Sequence, residues 1–158
     1  MTDPHKRLRE LGIELPVPPA PVASYVPTVL VPIGDGMSLL YIAGQVSVQD
    51  GRRLTGRCPD QVSVEDAQIA ARACALNLLA QMDGAAGMAN VERVVQLTGF
   101  VLSKDDFGDQ PKVLNGASDL LVEVLGDAGR HTRLALGASA LPFSVTVEIA
   151  AVVVVRAG

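Results

Sequence analysis

Apolar residues alternate with period two near the end of the chain. Val145, Val147, Ile149, Ala151, Val153 and Val155 fall on one face of a strand. The opposite face carries Ser144, Thr146 and Glu148, then turns apolar at Ala150, Val152 and Val154. A strand apolar on both faces is normally covered on both sides. Its polar half is therefore expected to open on a cleft and its apolar half to be enclosed, with Glu148 at the changeover. Together with the run from Arg133, the stretch 133–155 reads as two strands around a tight connection over 137–144.

Further elements follow from the same kind of pattern. Residues 3–11 can form a short helix, and the Pro-rich run 16–24 is expected to be extended or polyproline-like. Residues 1–24 thus read as an arm lying on a domain that spans 25–158, and the length suits one domain. A hairpin is expected next, with strands at 26–31 and 37–46 around the turn Gly34-Asp35-Gly36. A loop over 50–61 leads to Ser63-Val64-Glu65-Asp66, which resembles a capping box. Ala67, Ala71, Cys74, Leu78 and Met82 then recur at helical spacing, to about residue 85. Residues 91–102 form another strand. Pro111 opens a second helix with Asp109 as its cap, Val113, Leu114, Ala117, Leu120, Leu121 and Val124 as its buried stripe, and Gly126 as its stop. His131 belongs to the loop 126–132, with no site role assigned. The order ββαβαββ predicts an α+β layer with two helices on one face of a mixed sheet.

Composition narrows the function classes. Hydrophobic residues make up 49% and aromatics only 3%, so Val, Ala and Leu fill the core and few large anchors remain for a binding surface. The net charge is −4 and the pI ≈ 5.1. Nucleic-acid binding draws on clustered Lys and Arg, and single-strand binding on stacking aromatics. Both are scarce, and Arg52, Arg53 and Arg57 read as a solvated loop, so no nucleic-acid partner is expected. Nor is a membrane, because no run of roughly 18 apolar residues is present. With no signal-like start, a cytoplasmic location is the expectation.

Several chemistries find no foothold. Cys58 and Cys74 suit neither a metal site nor a disulfide framework, and Cys74 falls on a helical apolar stripe as a core residue. The two histidines are too few for a histidine-rich metal site. No Walker motif, dinucleotide fingerprint or evident Ser–His or Cys–His pair is legible. What remains is Arg133 with Glu148. An unpaired buried charge is costly, so Glu148 belongs to a satisfied ion pair, to an exposed edge, or to a site. In the site reading Arg133 fixes an anionic substrate and Glu148 handles a proton or a water.

An Arg at the head of a strand, the Leu141-Pro142 turn and the core run Val147-Glu148-Ile149 resemble the carboxy-terminal signature of the Rid family. These are the reactive intermediate deaminases, also called YjgF or endoribonuclease L-PSP proteins. Tyr25-Val26, Ile42-Ala43-Gly44-Gln45-Val46 and Asn115 match in order and spacing. The resemblance implies a chorismate-mutase-like fold in a homotrimer with sheets packed at its centre. It also implies hydrolysis of enamine or imine intermediates, such as 2-aminoacrylate, to 2-oxo acids and ammonia. Arg133 and Glu148 would be catalytic; Tyr25, Ala43, Gly44, Asn115, Arg133 and Ala135 would bind a small substrate bearing a carboxylate. No metal or organic cofactor is implied. Two positions depart from the usual pattern, which has a hydroxyl residue at Ala43 and a Cys at Ala135, so this chain resembles a divergent branch. A non-catalytic trimer that binds a 2-oxo acid is the alternative. A ribonuclease or translation inhibitor, as the family label suggests, is opposed by the acidic pI.

Overall fold

The computed structural model describes residues 3–156. Residues 1–2 and 157–158, the ends of the expected arm and domain, lie outside the described residues. Strands β1 (Thr28–Gly34) and β2 (Met37–Val46) form the expected hairpin, turned by left-handed Gly34, Asp35 and Gly36. β1 starts later than the expected strand because Pro27 has no N–H to give to a ladder. The stretch expected as a loop holds a miniature hairpin, β3 (Val48–Gln49) with β4 (Arg52–Arg53), turned by left-handed Asp50 and Gly51.

β5 (Val91–Leu102), β6 (Thr132–Ala138) and β7 (Val147–Arg156) complete the main sheet, in the order β1-β2-β7-β5-β6. β5 and β6 run parallel and the other neighbours antiparallel, so the sheet is mixed. β6 and β7 follow each other in sequence, yet β5 lies between them. Their connection therefore passes the end of β5 and closes no hairpin.

Two long helices cover one face. α1 (Pro4–Glu10) is the short leading helix, and α2 (Val64–Ala86) starts at Ser63, whose Oγ accepts from the Asp66 N–H at 3.0 Å. α3 (Gln110–Leu125) starts at Asp109, but that carboxylate caps nothing and faces Lys112 Nζ at 3.6 Å. The backbone of Asp109 (φ −94, ψ 23) is not the extended form that aims a capping side chain at the first amides. Every residue expected on the two helical stripes is buried, as are Val147, Ile149, Ala151, Val153 and Val155 beneath them. α2 and α3 cross closely: a Cβ on Gly116 would meet the backbone of Gln68, with its carbonyl carbon at 2.9 Å. α1 buries Leu8, and Arg7 Nε donates to the Glu123 carbonyl of α3 at 3.0 Å.

The opposite face of the sheet is left open by the described residues. Val29, Val31, Tyr41, Leu134 and Leu136 are exposed, and Ala150, Val152 and Val154 are half-buried. Register places Val29, Tyr41 and Val152 side by side across three strands. The enclosure expected for the apolar half of β7 is thus not supplied by the described residues. Monomeric soluble proteins rarely expose so continuous an apolar face. No described helix is long and apolar enough to cross a membrane.

Candidate functional site

A cleft of ≈ 410 Å³ opens where β2 leaves the sheet and β7 enters it. Ile42 pairs with Ala151 and Gln45 with Ile149, so Ala43 and Gly44 together oppose Ala150 in a β-bulge. Glu148, next along β7 and opposite Val46, lines the cleft. The bulge and the missing side chain of Gly44 make room for its carboxylate. A Cβ at Gly44 would strike Glu148 Oε1 and lie 3.0 Å from Cδ. Burial pushes the Glu148 carboxyl above its ordinary value. No ion pair among the described residues includes it, so the structural ion-pair reading is not met among them.

The cleft has three kinds of wall. The Pro-rich arm contributes Pro19, Pro21 and Val22, followed by Tyr25. The loop before β7 contributes Phe143, with the Arg53 guanidinium 4.0 Å over its ring. Phe143 and its neighbour Ser144 both take left-handed backbone (φ 56 each), a conformation that non-glycine residues hold only when packing enforces it. Beneath lies the Asn77 amide of α2, backed one turn on by Gln81, which does not itself line the cleft. Asn77 Nδ2 donates to the Val46 and Val48 carbonyls at 3.3 and 3.1 Å. Gln81 Nε2 donates to the Pro19 carbonyl at 2.8 Å and to Gln45 Oε1 at 3.4 Å. One turn of α2 therefore holds both the end of β2 and the arm.

Arg133 belongs to a separate cluster. It lies on β6 opposite buried Leu97, on the helix-covered face. Nη1 donates to Asn115 Oδ1 at 2.9 Å and to Ser118 Oγ at 3.0 Å, and Nη2 donates to the Pro111 carbonyl at 3.0 Å. A guanidinium has five N–H groups. With these three engaged by described residues, Nε–H and one Nη2–H remain, enough for a bidentate carboxylate. Glu148 stands on the opposite face of the sheet, one strand beyond β5, and neither Arg133 nor Asn115 lines its cleft. One subunit does not bring the two catalytic candidates together.

Residues 5–153 match the family described as "YjgF/chorismate_mutase-like, putative endoribonuclease". The chain belongs to that family. Among curated proteins it is similar to Protein TCP17 of Trypanosoma cruzi, 44% identical over 149 residues that cover 92% of this chain and 90% of that protein. Among solved structures it is similar to Atu1372 of Agrobacterium tumefaciens, a protein with unknown function. The two are 43% identical with a TM-score of 0.85, covering 97% of this chain and 92% of the other. A protein of Shewanella oneidensis carrying the same qualified endoribonuclease name is 28% identical with a TM-score of 0.87, covering 96% and 99%.

The positions expected from the YjgF resemblance fall into two groups. Tyr25, Gly44 and Glu148 line the cleft, whereas Arg133 and Asn115 meet beside α3. Tyr25 precedes β1 and is 45% exposed. Ala43 sits at the bulge, gives its N–H to the Pro27 carbonyl at 2.9 Å, and does not line the cleft. Ala135 follows Arg133 on the helix-covered face and packs against the core. Cys74 is fully buried, and burial foremost, with the nearby Glu148 charge adding, holds its thiol well above the ordinary range. It is a core residue and no nucleophile.

Sequence reasoning missed Phe143, Asn77, Gln81 and the part played by the arm. A signal for the amides was present, since Asn77 and Gln81 interrupt an apolar helical run at i, i+4 spacing. His131, read as a loop residue without a role, is bonded to Ser118 at 2.9 Å and to the Gly129 carbonyl at 2.6 Å.

Proposed function

We propose that the protein forms a homotrimer whose subunit junctions hydrolyse reactive enamine or imine intermediates, 2-aminoacrylate among them, to 2-oxo acids and ammonia. One observation carries this reading. A guanidinium with two N–H groups to spare and a desolvated carboxylate at a cleft occupy opposite faces of one subunit. The sheet between them ends in an uncovered apolar face. A second copy on that face supplies the missing half of each site, Arg133 from one protomer and Glu148 from its partner.

The chemistry then needs only water and protons. 2-Aminoacrylate tautomerises to its imine, which takes up a proton from solvent as the iminium, with Arg133 holding its carboxylate. Glu148 takes a proton from water as the C–O bond forms at the imine carbon and the C=N electron pair moves to nitrogen. The proton is returned to nitrogen, the C–N bond breaks, and ammonia leaves. The carbinol hydroxyl gives its proton to the regenerated Glu148 carboxylate as C=O forms, and that proton passes to the departing ammonia. The substrate is already reactive, so positioning accounts for most of the task. Release of ammonia from freshly generated 2-aminoacrylate tests the reading, and a rate equal to the spontaneous one, across several side-chain types, would remove it.

A second reading is a binder of 2-oxo acids without turnover. The Ala135 methyl, packed on the core in place of a thiol, favours it by removing one reactive group from beside Arg133. Arg133-dependent binding with no ammonia release would select it. Degradation of RNA by the purified protein would instead support the endoribonuclease name, which the acidic pI opposes.

A further inference from the structure

Two polar residues beside Arg133 have no part in the reaction above, yet they are joined to its guanidinium. His131 Nδ1 lies 2.6 Å from the Gly129 carbonyl oxygen, and Nε2 lies 2.9 Å from Ser118 Oγ. A carbonyl oxygen can only accept, so Nδ1 carries the hydrogen. In the neutral ring Nε2 is then an acceptor, and the Ser118 hydroxyl donates to it. The Ser118 lone pairs are thereby left for Arg133, whose Nη1 donates to Oγ at 3.0 Å. The bonds run in one direction: Arg133 to Ser118, Ser118 to His131, His131 to the Gly129 carbonyl.

Both ends of this relay are fixed. Gly129 is buried against α3 so closely that a Cβ there would sit 2.7 Å from the Leu121 carbonyl carbon. Ser118 and Asn115 are one turn apart on α3, which lets both reach the same nitrogen, Nη1. Engaging Nη1 twice sets the plane of the guanidinium. Its Nε and remaining Nη2 hydrogens then stay available to an anion.

We propose that Ser118 and His131 are positioning residues for carboxylate binding: their relay holds the Arg133 guanidinium in the orientation that receives the substrate anion. The inference rests on the reading of Arg133 as the carboxylate ligand. A guanidinium released from Ser118 keeps Asn115 and Pro111 but loses one of its three anchors, so part of its ordering waits for the anion, and affinity falls by that part.

Calorimetric titration of pyruvate, a small 2-oxo acid, into the full chain and its variants tests this. Ser118→Ala removes the middle of the relay and His131→Phe its acceptor, while His131→Gln can still offer an acceptor to Ser118. The expected result is about tenfold weaker binding in Ser118→Ala and His131→Phe, with most of the affinity recovered in His131→Gln. In turnover the loss should fall on KM with kcat nearly unchanged, because the carboxylate is held alike in ground and transition states. Equal pyruvate affinity in Ser118→Ala and the parent chain overturns the relay and leaves the Arg133 reading standing. Absent binding in the parent chain, or binding unaffected by Arg133→Ala, overturns both. Should Ser118→Ala fail to fold, nitrogen-15 spectra of His131 in the parent chain decide. Hydrogen on Nδ1 with a bare Nε2 supports the relay, and hydrogen on Nε2 overturns it.

Discussion

The carboxylate of Glu148 fills the space that a side chain on residue 44 would need. Gly44 has no left-handed φ to explain its identity, so glycine is required there for volume. Bulge, glycine and carboxylate form one device, in which β2 steps aside to let a β7 side chain reach the cleft.

Gly44→Ala should keep the backbone and displace the carboxylate, because Oε1, Cδ and Cγ of Glu148 all crowd the new methyl. The expected outcome is a thermal midpoint within a few degrees of the parent and a fall in imine hydrolysis of about a hundredfold, the usual scale for a misplaced reactive group. Thermal denaturation and ammonia release measure the two effects separately. Full activity in Gly44→Ala would show that the position of Glu148 is immaterial.

Burial raises the Glu148 carboxyl above its ordinary value, so the folded chain keeps this proton to higher pH than the unfolded chain does. The contribution of this group is present in full below its unfolded pKa and is lost as pH rises through the folded one. Glu148→Gln abolishes that loss. The variant should match the parent in urea midpoint at pH about 4 and slightly exceed it at neutral pH, while turnover disappears. The proposed reaction needs the ionised carboxylate, so turnover should fall on acidification with an inflection above the ordinary glutamate range. A lower midpoint for Glu148→Gln at neutral pH would contradict the desolvation argument.

Gln81→Leu removes the donor that ties the arm at Pro19 to α2. A loss of about 1 kcal/mol is expected for that hydrogen bond. Amide exchange should quicken at Ala20, Val22 and Ala23, whose segment lines the cleft. Unchanged exchange there would mean that the arm is held by its other contacts.

Gly116→Ala places a methyl against the backbone of Gln68, which cannot give way as a side-chain tip can. Prising α2 from α3 should cost about 1–3 kcal/mol, the usual range for an overfilled core. Chemical denaturation measures it. A neutral result would show that the helices can separate without loss.

Much of the fold was legible because its signals are local. The period-two run through Val147 and Val155 fixed the core strand and its buried face, and Ser63 with Asp66 marked the start of α2 through a cap that the structure contains. Two-residue strands such as β3 and β4 carry no periodicity, so the miniature hairpin was invisible. Asp109 has the right side chain for a cap but the wrong backbone, and composition does not reveal backbone.

The site was legible as a set of residues and not as an arrangement. Arg133 and Glu148 are separated by a crossover past β5, and register sets them level with Leu97 and Phe100 of that strand, an odd step apart and so on opposite faces. His131 and Ser118 meet only because α3 lies over the end of β6 at one particular height, a tertiary fact that neither residue announces.

In the proposed trimer Arg133 of one protomer meets Glu148 of the next. Arg133→Ala and Glu148→Gln, each inactive alone, should be unfolded together in equal amounts and refolded into mixed oligomers. Random assembly pairs an intact Arg133 with an intact Glu148 at about one junction in four, so roughly a quarter of the parent rate should return. Mixed oligomers confirmed by mass spectrometry that remain as inactive as the single variants would contradict it.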